Sequence, residues 1–144
     1  MEKLKFGIIG AGRSGSILMM RALEKLRKSA EVIWICDPDL ARARAVATAN
    51  KIRKYGNEYT ELISTHRPDI VCVATPHKTH FEIADQLLDS KINVIVEKPF
   101  TETASQAKAL IDKANKMGLR IDAVHNHRAQ RGMRELKTII DKKH

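Results

Sequence analysis

The stretch Phe6–Gly15 reads FGIIGAGRSG, and its interpretation decides the fold of the chain. A short apolar run ends in three glycines, Gly10, Gly12 and Gly15, with the spacing G-x-G-x-x-G. Glycines at this spacing are weak evidence by themselves, because glycines also simply make turns. Here they follow a predicted strand and open a predicted helix, which is the context that a dinucleotide-binding loop requires.

Each glycine has a separate task in such a loop. Gly10 allows the tight turn, Gly12 lets the backbone approach a pyrophosphate, and Gly15 allows the helix to pack closely on the strand. The start of the helix, which includes Arg13 and Ser14, offers free N–H groups and a partial positive charge to phosphates. We therefore predict that this loop binds a dinucleotide.

A second element of the same predicted site is Asp37, which ends the apolar stretch IWIC about 20 positions after Gly15. A carboxylate here accepts hydrogen bonds from both hydroxyls of the adenosine ribose and repels the 2′-phosphate of NADP. The pattern therefore favours NAD, while NADP stays open because Arg13 or Arg42 is able to reach a 2′-phosphate. The alternative is that the Asp-Pro-Asp sequence forms only a turn and a helix cap.

Short β-branched runs alternate with helical segments along the chain. The runs are predicted strands, and their near-continuous apolarity indicates burial on both faces, as in a parallel sheet. They are Leu4–Ile9, Val32–Cys36, Ile70–Ala74, Ile92–Val96 and Ile121–Val124, with a short edge strand at Lys54–Tyr55. Right-handed crossovers between such strands predict an α/β fold with a doubly wound parallel sheet of the Rossmann type, a single three-layer domain over residues 1–144.

The predicted helices carry boundary signals. Two capping boxes are predicted at helix starts, one from Thr103 with Gln106 and one from Thr79 with Glu82. Gly118 is predicted to end the helix that follows Thr103 as a C-cap. The last segment has apolar residues at helical spacing. They are Met133, Leu136, Ile139 and Ile140.

Composition narrows the class of protein. The 144-residue chain has a net charge of +9, yet its basic residues interleave with apolar positions and aromatic residues are few, which argues against nucleic-acid binding. Cys36 and Cys72 both lie in apolar runs and are predicted to be buried thiols rather than a disulfide or a metal pair. With no leader-like start and no apolar run near 20 residues, we expect a cytoplasmic protein without a membrane partner.

Three later stretches resemble a known family: ATPHKTH at 74–80, VIVEKPF at 94–100 and AVHNHR at 123–128. In this order after a glycine loop, they resemble the Gfo/Idh/MocA family, which includes glucose–fructose oxidoreductase and inositol dehydrogenase. The E-K-P sequence after the fifth strand is the specific part, and the resemblance covers essentially the whole chain. It implies a nicotinamide-dependent oxidoreductase that acts on a sugar, a polyol or a related hydroxy compound.

The resemblance also implies roles for single residues. Lys98 would be the catalytic residue, facing the nicotinamide ribose and the substrate, where its ammonium orients the reacting alcohol or carbonyl and assists proton transfer. The Lys98–Pro99 peptide bond is expected to be cis. The residues implied to contact the cofactor after the fourth, fifth and sixth strands are Ala74, Thr75, Pro76, His80, Glu97, Lys98 and Asn126.

The chain departs from the family pattern at two places. His77 stands where an asparagine is frequent, and Ala129 stands where an aromatic residue usually follows the arginine, here Arg128. Histidines cluster after the predicted strands, but no cysteine or paired carboxylate completes a ligand set, so no metal is expected. They are His77, His80, His125 and His127.

Family members continue into an α+β domain that holds most of the substrate pocket and usually the oligomer interface, and we expect residues 1–144 to lack it. Whether the chain is an enzyme therefore stays open. One interpretation is the NAD(P)-binding domain of an oxidoreductase, which self-associates or pairs with a missing or separately encoded C-terminal domain. The alternative is a free-standing NAD-binding module without catalysis, such as a redox sensor or a partner subunit. A CoA-binding or other nucleotide-binding protein fits less well, because Asp37 and E-K-P argue against it.

Overall fold

A computed structural model describes residues 2–125 and 130–142, without the side chains of Ser14 and Ser16. The strands are β1 (Leu4–Ile9), β2 (Ala30–Cys36), β3 (Lys54–Gly56), β4 (Ile70–Val73), β5 (Asn93–Val96) and β6 (Ile121–Ala123). They form one parallel sheet in the order β3-β2-β1-β4-β5-β6. All predicted strands are present within two residues of their expected ends, the edge strand included, and the doubly wound α/β fold is confirmed.

Helices cover both faces of the sheet. They are α1 (Met20–Lys25), α2 (Leu40–Ala49), α3 (Tyr59–Thr65), α4 (His80–Asp89), α5 (Ala104–Met117) and α6 (Arg131–Asp141), with a π-helical segment over Ser14–Met19 before α1. One core cluster packs strand residues against α3, α4 and α5, through side chains such as Leu62, Leu87 and Leu110. A second cluster packs the opposite face against the first two helices, through Leu23 and Ala47. The layers are therefore helix, sheet and helix.

The capping predictions have different outcomes. Thr103 accepts a hydrogen bond from the Gln106 N–H at 3.2 Å, and the Gln106 side chain reaches back to the Thr103 N–H at 3.2 Å, so this capping box is confirmed. Gly118 ends α5 with a φ of 66°, as predicted. The capping box at Thr79 and Glu82 was wrong. The Thr79 hydroxyl bonds within the preceding loop, 2.8 Å from the Pro76 carbonyl oxygen, and does not cap α4.

A glycine and a tryptophan fit together between β1 and β2. Trp34 is fully buried, and its indole N–H donates to the His66 carbonyl oxygen at 2.9 Å. A Cβ added to Gly7 would lie 2.2 Å from Cζ2 of Trp34, closer than any two such atoms approach. The glycine therefore leaves the space that the indole fills.

The two cysteines are free and buried, as predicted. Desolvation by burial is the largest cause that raises the pKa of each thiol, and the pKa of both Cys36 and Cys72 is about 12. Both thiols therefore stay protonated at neutral pH, as expected of core residues rather than reactive ones.

The last helix differs from the others because no residue of α6 is buried. It has the predicted apolar stripe, but Met133, Leu136, Ile139 and Ile140 are each 48–55% exposed. Within the described part of the chain, no helix is long and apolar enough to cross a membrane.

Candidate dinucleotide and catalytic site

Four neighbouring strands end level at one edge of the sheet. Ile9 at the end of β1 pairs with Cys36 and with Val73, and Val73 pairs in turn with Val96. The residues that follow these strand ends are Gly10 after β1, Asp37 after β2, Ala74 after β4 and Glu97 after β5. The parallel register thus brings together predicted site residues that lie far apart in the sequence. The strand order reverses between β1 and β4, which is where ligands bind in open α/β sheets.

The three glycines of the loop have different surroundings. Gly10 has a φ of 102°, and a Cβ there would lie 2.5 Å from the Ala74 carbonyl oxygen. A Cβ on Gly15 would lie 1.8 Å from the Gly10 carbonyl oxygen, so the protein's own packing requires both glycines. A Cβ on Gly12 would meet nothing within 4 Å. The position of a Cβ on Gly12 is therefore open space beside the loop, which a bound group can fill.

An open groove of about 910 Å³ runs along the edge beside this loop, a size typical of small-molecule and cofactor sites. Its predicted lining residues are Gly10, Gly12, Arg13, Asp37, Ala74, Thr75 and Pro76. The opposite wall was missed by the sequence analysis. It is formed by Asn57, Glu58, Tyr59, Thr79 and Ile83. Asn57 follows β3, so the strand order was the signal that would have placed this wall.

Asp37 is buried and joins two parts of the groove. Its Oδ2 accepts a hydrogen bond from the Ala11 N–H at 2.8 Å, and its Oδ1 accepts one from the Asp39 N–H at 2.9 Å. The Arg42 guanidinium lies 3.4 Å from Oδ1. These three donors use three of the about four acceptor positions of a carboxylate, so one position remains for a ribose hydroxyl, and a second hydroxyl would replace the long Arg42 contact. The helix-capping role belongs to Asp39, which accepts the Arg42 N–H at 3.1 Å.

Glu97 and Lys98 follow β5, next to the groove. The Glu97 side chain is 4% exposed, and its Oε2 accepts the Lys98 N–H at 3.0 Å. Its Oε1 is buried with no hydrogen-bond partner among the described residues. Leaving a buried carboxylate oxygen unpaired is costly, so this position needs a donor that the described residues do not supply. The Lys98–Pro99 bond is cis, as predicted, and Lys98 itself is exposed.

His80 lies between the loops rather than in the groove. Its ring is 1% exposed, with Nδ1 2.8 Å from the Pro99 carbonyl oxygen and Nε2 2.9 Å from the Thr75 carbonyl oxygen. A buried ring held in this way contacts protein groups on both sides. The structure therefore places His80 behind the site, as a link between the β4 and β5 loops.

The remaining predicted residues lie as follows. Ser14 begins the helical segment after the glycine loop, and Gly15 packs beneath that loop. Asn126, with Arg128 and the other residues of 126–129, lies outside the described residues. His77 and His125 are exposed. Within residues 2–125 and 130–142, no group of three or more His, Cys, Asp or Glu side chains is placed to hold a metal ion.

The fold and the groove define a Rossmann-type dinucleotide-binding protein. Residues 4–125 match a family model described as an oxidoreductase family with an NAD-binding Rossmann fold. The chain therefore belongs to the Gfo/Idh/MocA oxidoreductase family, as the resemblance of its motifs predicts.

Named relatives agree with this placement. The chain is 31% identical over 140 residues to the inositol 2-dehydrogenase of Salmonella typhimurium, an alignment that covers 96% of this chain and 41% of the relative. It is 30% identical over 130 residues to the D-glucoside 3-dehydrogenase of Escherichia coli, covering 87% of this chain and 35% of the relative. The chain thus spans about two-fifths of the length of these relatives.

Solved structures share the fold. The WlbA dehydrogenase of Chromobacterium violaceum, in complex with NADH and UDP-GlcNAcA, superimposes with a TM-score of 0.91 at 25% identity, over 99% of this chain and 41% of that one. An oxidoreductase of Agrobacterium radiobacter, in complex with NAD⁺, L-tartaric acid and magnesium, superimposes with a TM-score of 0.89 at 25% identity. The superposition covers 98% of this chain and 41% of that one. The fold of this chain is therefore one that carries NAD(H) in related dehydrogenases.

Proposed function

We propose that the chain binds NAD in the groove and forms the cofactor part of an oxidoreductase acting on a sugar, a polyol or a related hydroxy compound. The observation that carries this proposal is the open approach over Gly12, on a loop that Asp37 fastens through the Ala11 N–H. The family of the chain and the names of its relatives support the substrate class.

The groove suits the two ends of the adenosine diphosphate part of NAD. The pyrophosphate would lie over Gly12, where the start of the helix supplies N–H groups and a partial positive charge. The ribose hydroxyls would donate to Asp37, and the adenine would lie near Tyr59 and Ile83 on the opposite wall. The charge of Asp37 disfavours a 2′-phosphate, so NAD is preferred over NADP, although Arg42 stands close enough to serve NADP.

The nicotinamide part would extend past β4 towards Glu97 and Lys98. NAD, when bound, supplies the hydride acceptor or donor of the reaction. The unpaired Oε1 of Glu97 would accept a hydrogen bond from the cofactor. The Lys98 ammonium would orient the substrate oxygen and assist its proton transfer. By family resemblance, Asn126 would contact the cofactor after β6.

We further propose that residues 1–144 make up the NAD(P)-binding domain and that the family's second domain supplies most of the substrate pocket. The relatives are more than twice as long as the part this chain matches. The exposed apolar stripe of α6 is the surface that such a domain, or a second copy, would cover. Two buried free thiols agree with a cytoplasmic protein.

The test is a calorimetric titration of NAD and NADP with two matched variants, Gly12→Ala and Gly132→Ala. A Cβ meets nothing within 4 Å at either position, so both variants should fold and melt like the parent. Gly12→Ala should weaken NAD binding about tenfold or more, because its methyl group occupies the approach of the pyrophosphate. Gly132→Ala, on α6, should bind like the parent. Unchanged NAD affinity in Gly12→Ala, or tighter binding of NADP by the parent, would contradict the proposal.

A further inference from the structure

A single buried side chain connects the two loops that flank the proposed nicotinamide position. His80 is the first residue of α4, and its ring nitrogens contact the carbonyl oxygens of Thr75, after β4, and Pro99, after β5. The helix is firmly packed, because Ala84, Leu87 and Leu88 are fully buried. His80 therefore connects both loops to α4, which is firmly packed.

The two loops depend on His80 to different degrees. The Thr75 loop has a second tie, since the Thr75 hydroxyl lies 2.8 Å from the hydroxyl of Thr79. Pro99 has no N–H to donate, so its carbonyl is the group through which the backbone of this residue can be held. Lys98 and Pro99 are both exposed, and the hydrogen bond from the Lys98 N–H to Oε2 of Glu97 ties the turn only to the residue before it. Loss of the His80 ring should therefore loosen the turn that carries Lys98 more than the loop that lines the groove.

We propose that His80 is a positioning residue, which fixes the Lys98–Pro99 turn relative to the Thr75 loop and thereby shapes the nicotinamide half of the site. The inference rests on the proposed function, because it needs a dinucleotide in the groove. His80 acts through the two carbonyl oxygens and not by contact with the cofactor. A carbonyl oxygen only accepts, so a ring nitrogen can hydrogen-bond to it only as a donor.

The experiment compares the affinity of the protein for NAD⁺ with its affinity for ADP-ribose, which lacks the nicotinamide. His80→Phe keeps an aromatic ring of similar size but removes both donors. Its affinity for NAD⁺ should fall about tenfold, because a loosened Lys98–Pro99 turn has to be ordered again when the nicotinamide binds, while its affinity for ADP-ribose stays within about twofold. His80→Gln retains one donor group, so its affinity for NAD⁺ should lie between those of His80→Phe and the parent. It also provides the test if His80→Phe does not fold.

Lys113→Met is the matched control for a loss of stability. Lys113 ties α5 to α4 through Asp85 and Asp89, at 2.6 and 2.8 Å, far along the helix from His80. This variant should melt at a lower temperature while both affinities stay at the parent's values. Amide hydrogen exchange adds a readout on the protein alone, and Lys98 should exchange faster in His80→Phe than in Lys113→Met.

The outcomes separate the two proposals. A parent that binds neither ligand would overturn the proposed function, and this inference with it. A parent that binds both, with the ratio of the two affinities unchanged in His80→Phe and His80→Gln, would overturn the role of His80 alone. An equal loss of NAD⁺ and ADP-ribose affinity would also overturn it, since His80 would then support the whole groove.

Discussion

The proposed adenosine half and the proposed nicotinamide half of the site differ in how fully this chain satisfies their buried polar groups. In the adenosine half, both oxygens of Asp37 accept hydrogen bonds from the chain, one from Ala11 and one from Asp39. In the nicotinamide half, Glu97 has a buried oxygen with no partner among the described residues. Beyond it, α6 exposes its apolar stripe. The chain thus supplies partners for both carboxylate oxygens of Asp37 in the proposed adenosine half. In the proposed nicotinamide half, a buried carboxylate oxygen lacks a partner among the described residues and an apolar helix face is uncovered.

The largest effect expected from this difference concerns turnover. The 144-residue chain should bind NAD yet oxidise sugars, polyols or hydroxy acids at least a few hundredfold more slowly than a full-length relative. Orientation of the substrate against the cofactor contributes about 7–11 kcal/mol to such reactions, and loss of about half of it slows the reaction by a few hundredfold or more. The measurement is NADH formation over a substrate panel, with Lys98→Met as the background. Turnover at the rate of a full-length relative would show that residues 1–144 complete both halves.

Asp37 tests the completeness of the adenosine half. Asp37→Ala should weaken NAD binding by about 2–4 kcal/mol, because two ribose hydroxyls lose a charged acceptor. It should also lower the melting temperature, since the N–H groups of Ala11 and Asp39 lose their partner. Calorimetry and thermal melts measure the two effects.

The matched variant is Asp37→Asn, which keeps the shape and removes the charge. We expect it to bind NAD more weakly than the parent does. We also expect a smaller difference between its affinities for NAD and NADP, because the repulsion of the 2′-phosphate is gone and Arg42 is released from the carboxylate. If Asp37→Asn leaves the preference between the two cofactors unchanged, then Asp37 does not contact the ribose.

Glu97 tests the nicotinamide half, with a smaller expected effect. Glu97→Gln should weaken NAD binding about fivefold, because a neutral amide oxygen is a poorer acceptor than a carboxylate, and should leave ADP-ribose binding unchanged. Isothermal titration of both ligands gives the comparison. Equal losses of affinity for NAD and ADP-ribose would mean that Glu97 supports the whole groove and does not contact the nicotinamide part of the cofactor.

The smallest effect on the fold is expected at α6. The 144-residue chain should self-associate through the exposed stripe, and Leu136→Glu combined with Ile140→Glu should reduce its mass by light scattering. The melting temperature should change little, because no residue of α6 is buried. Thr138→Glu on the same helix serves as the control for added charge. If the parent remains monomeric at high concentration, then the apolar stripe of α6 does not mediate self-association.

The level row of strand ends explains why much of the site was predictable from the sequence. In a parallel sheet the residue after each strand reaches the same edge, which is where the glycine loop and Asp37 were predicted to bind a dinucleotide. Ala74 and Glu97 were added by the family resemblance, and the register places them on the same edge. The wall at Tyr59 was not predicted, although the strand before it was, because no motif in the sequence and no part of the family resemblance points to residues 57–59.

Side-chain directions were harder to predict. The spacing of Thr79 and Glu82 fits a capping box, yet the Thr79 hydroxyl has nearer acceptors in its own loop, and sequence does not rank competing acceptors. The family resemblance predicted His80 as a cofactor contact, but spacing does not say whether a ring faces the groove or the interior. That depends on the Pro99 carbonyl, which a different part of the chain supplies.

The fit of Gly7 against Trp34 restricts the order in which this protein can change during evolution. A methyl group at position 7 overlaps the indole, so Gly7→Ala is strongly destabilising while Trp34 is present. After a change of Trp34 to a smaller residue, the same methyl group fills part of the vacated space and becomes favourable. The two positions therefore show sign epistasis: an alanine at position 7 is accessible to descendants of this chain only through an intermediate that has already lost its tryptophan.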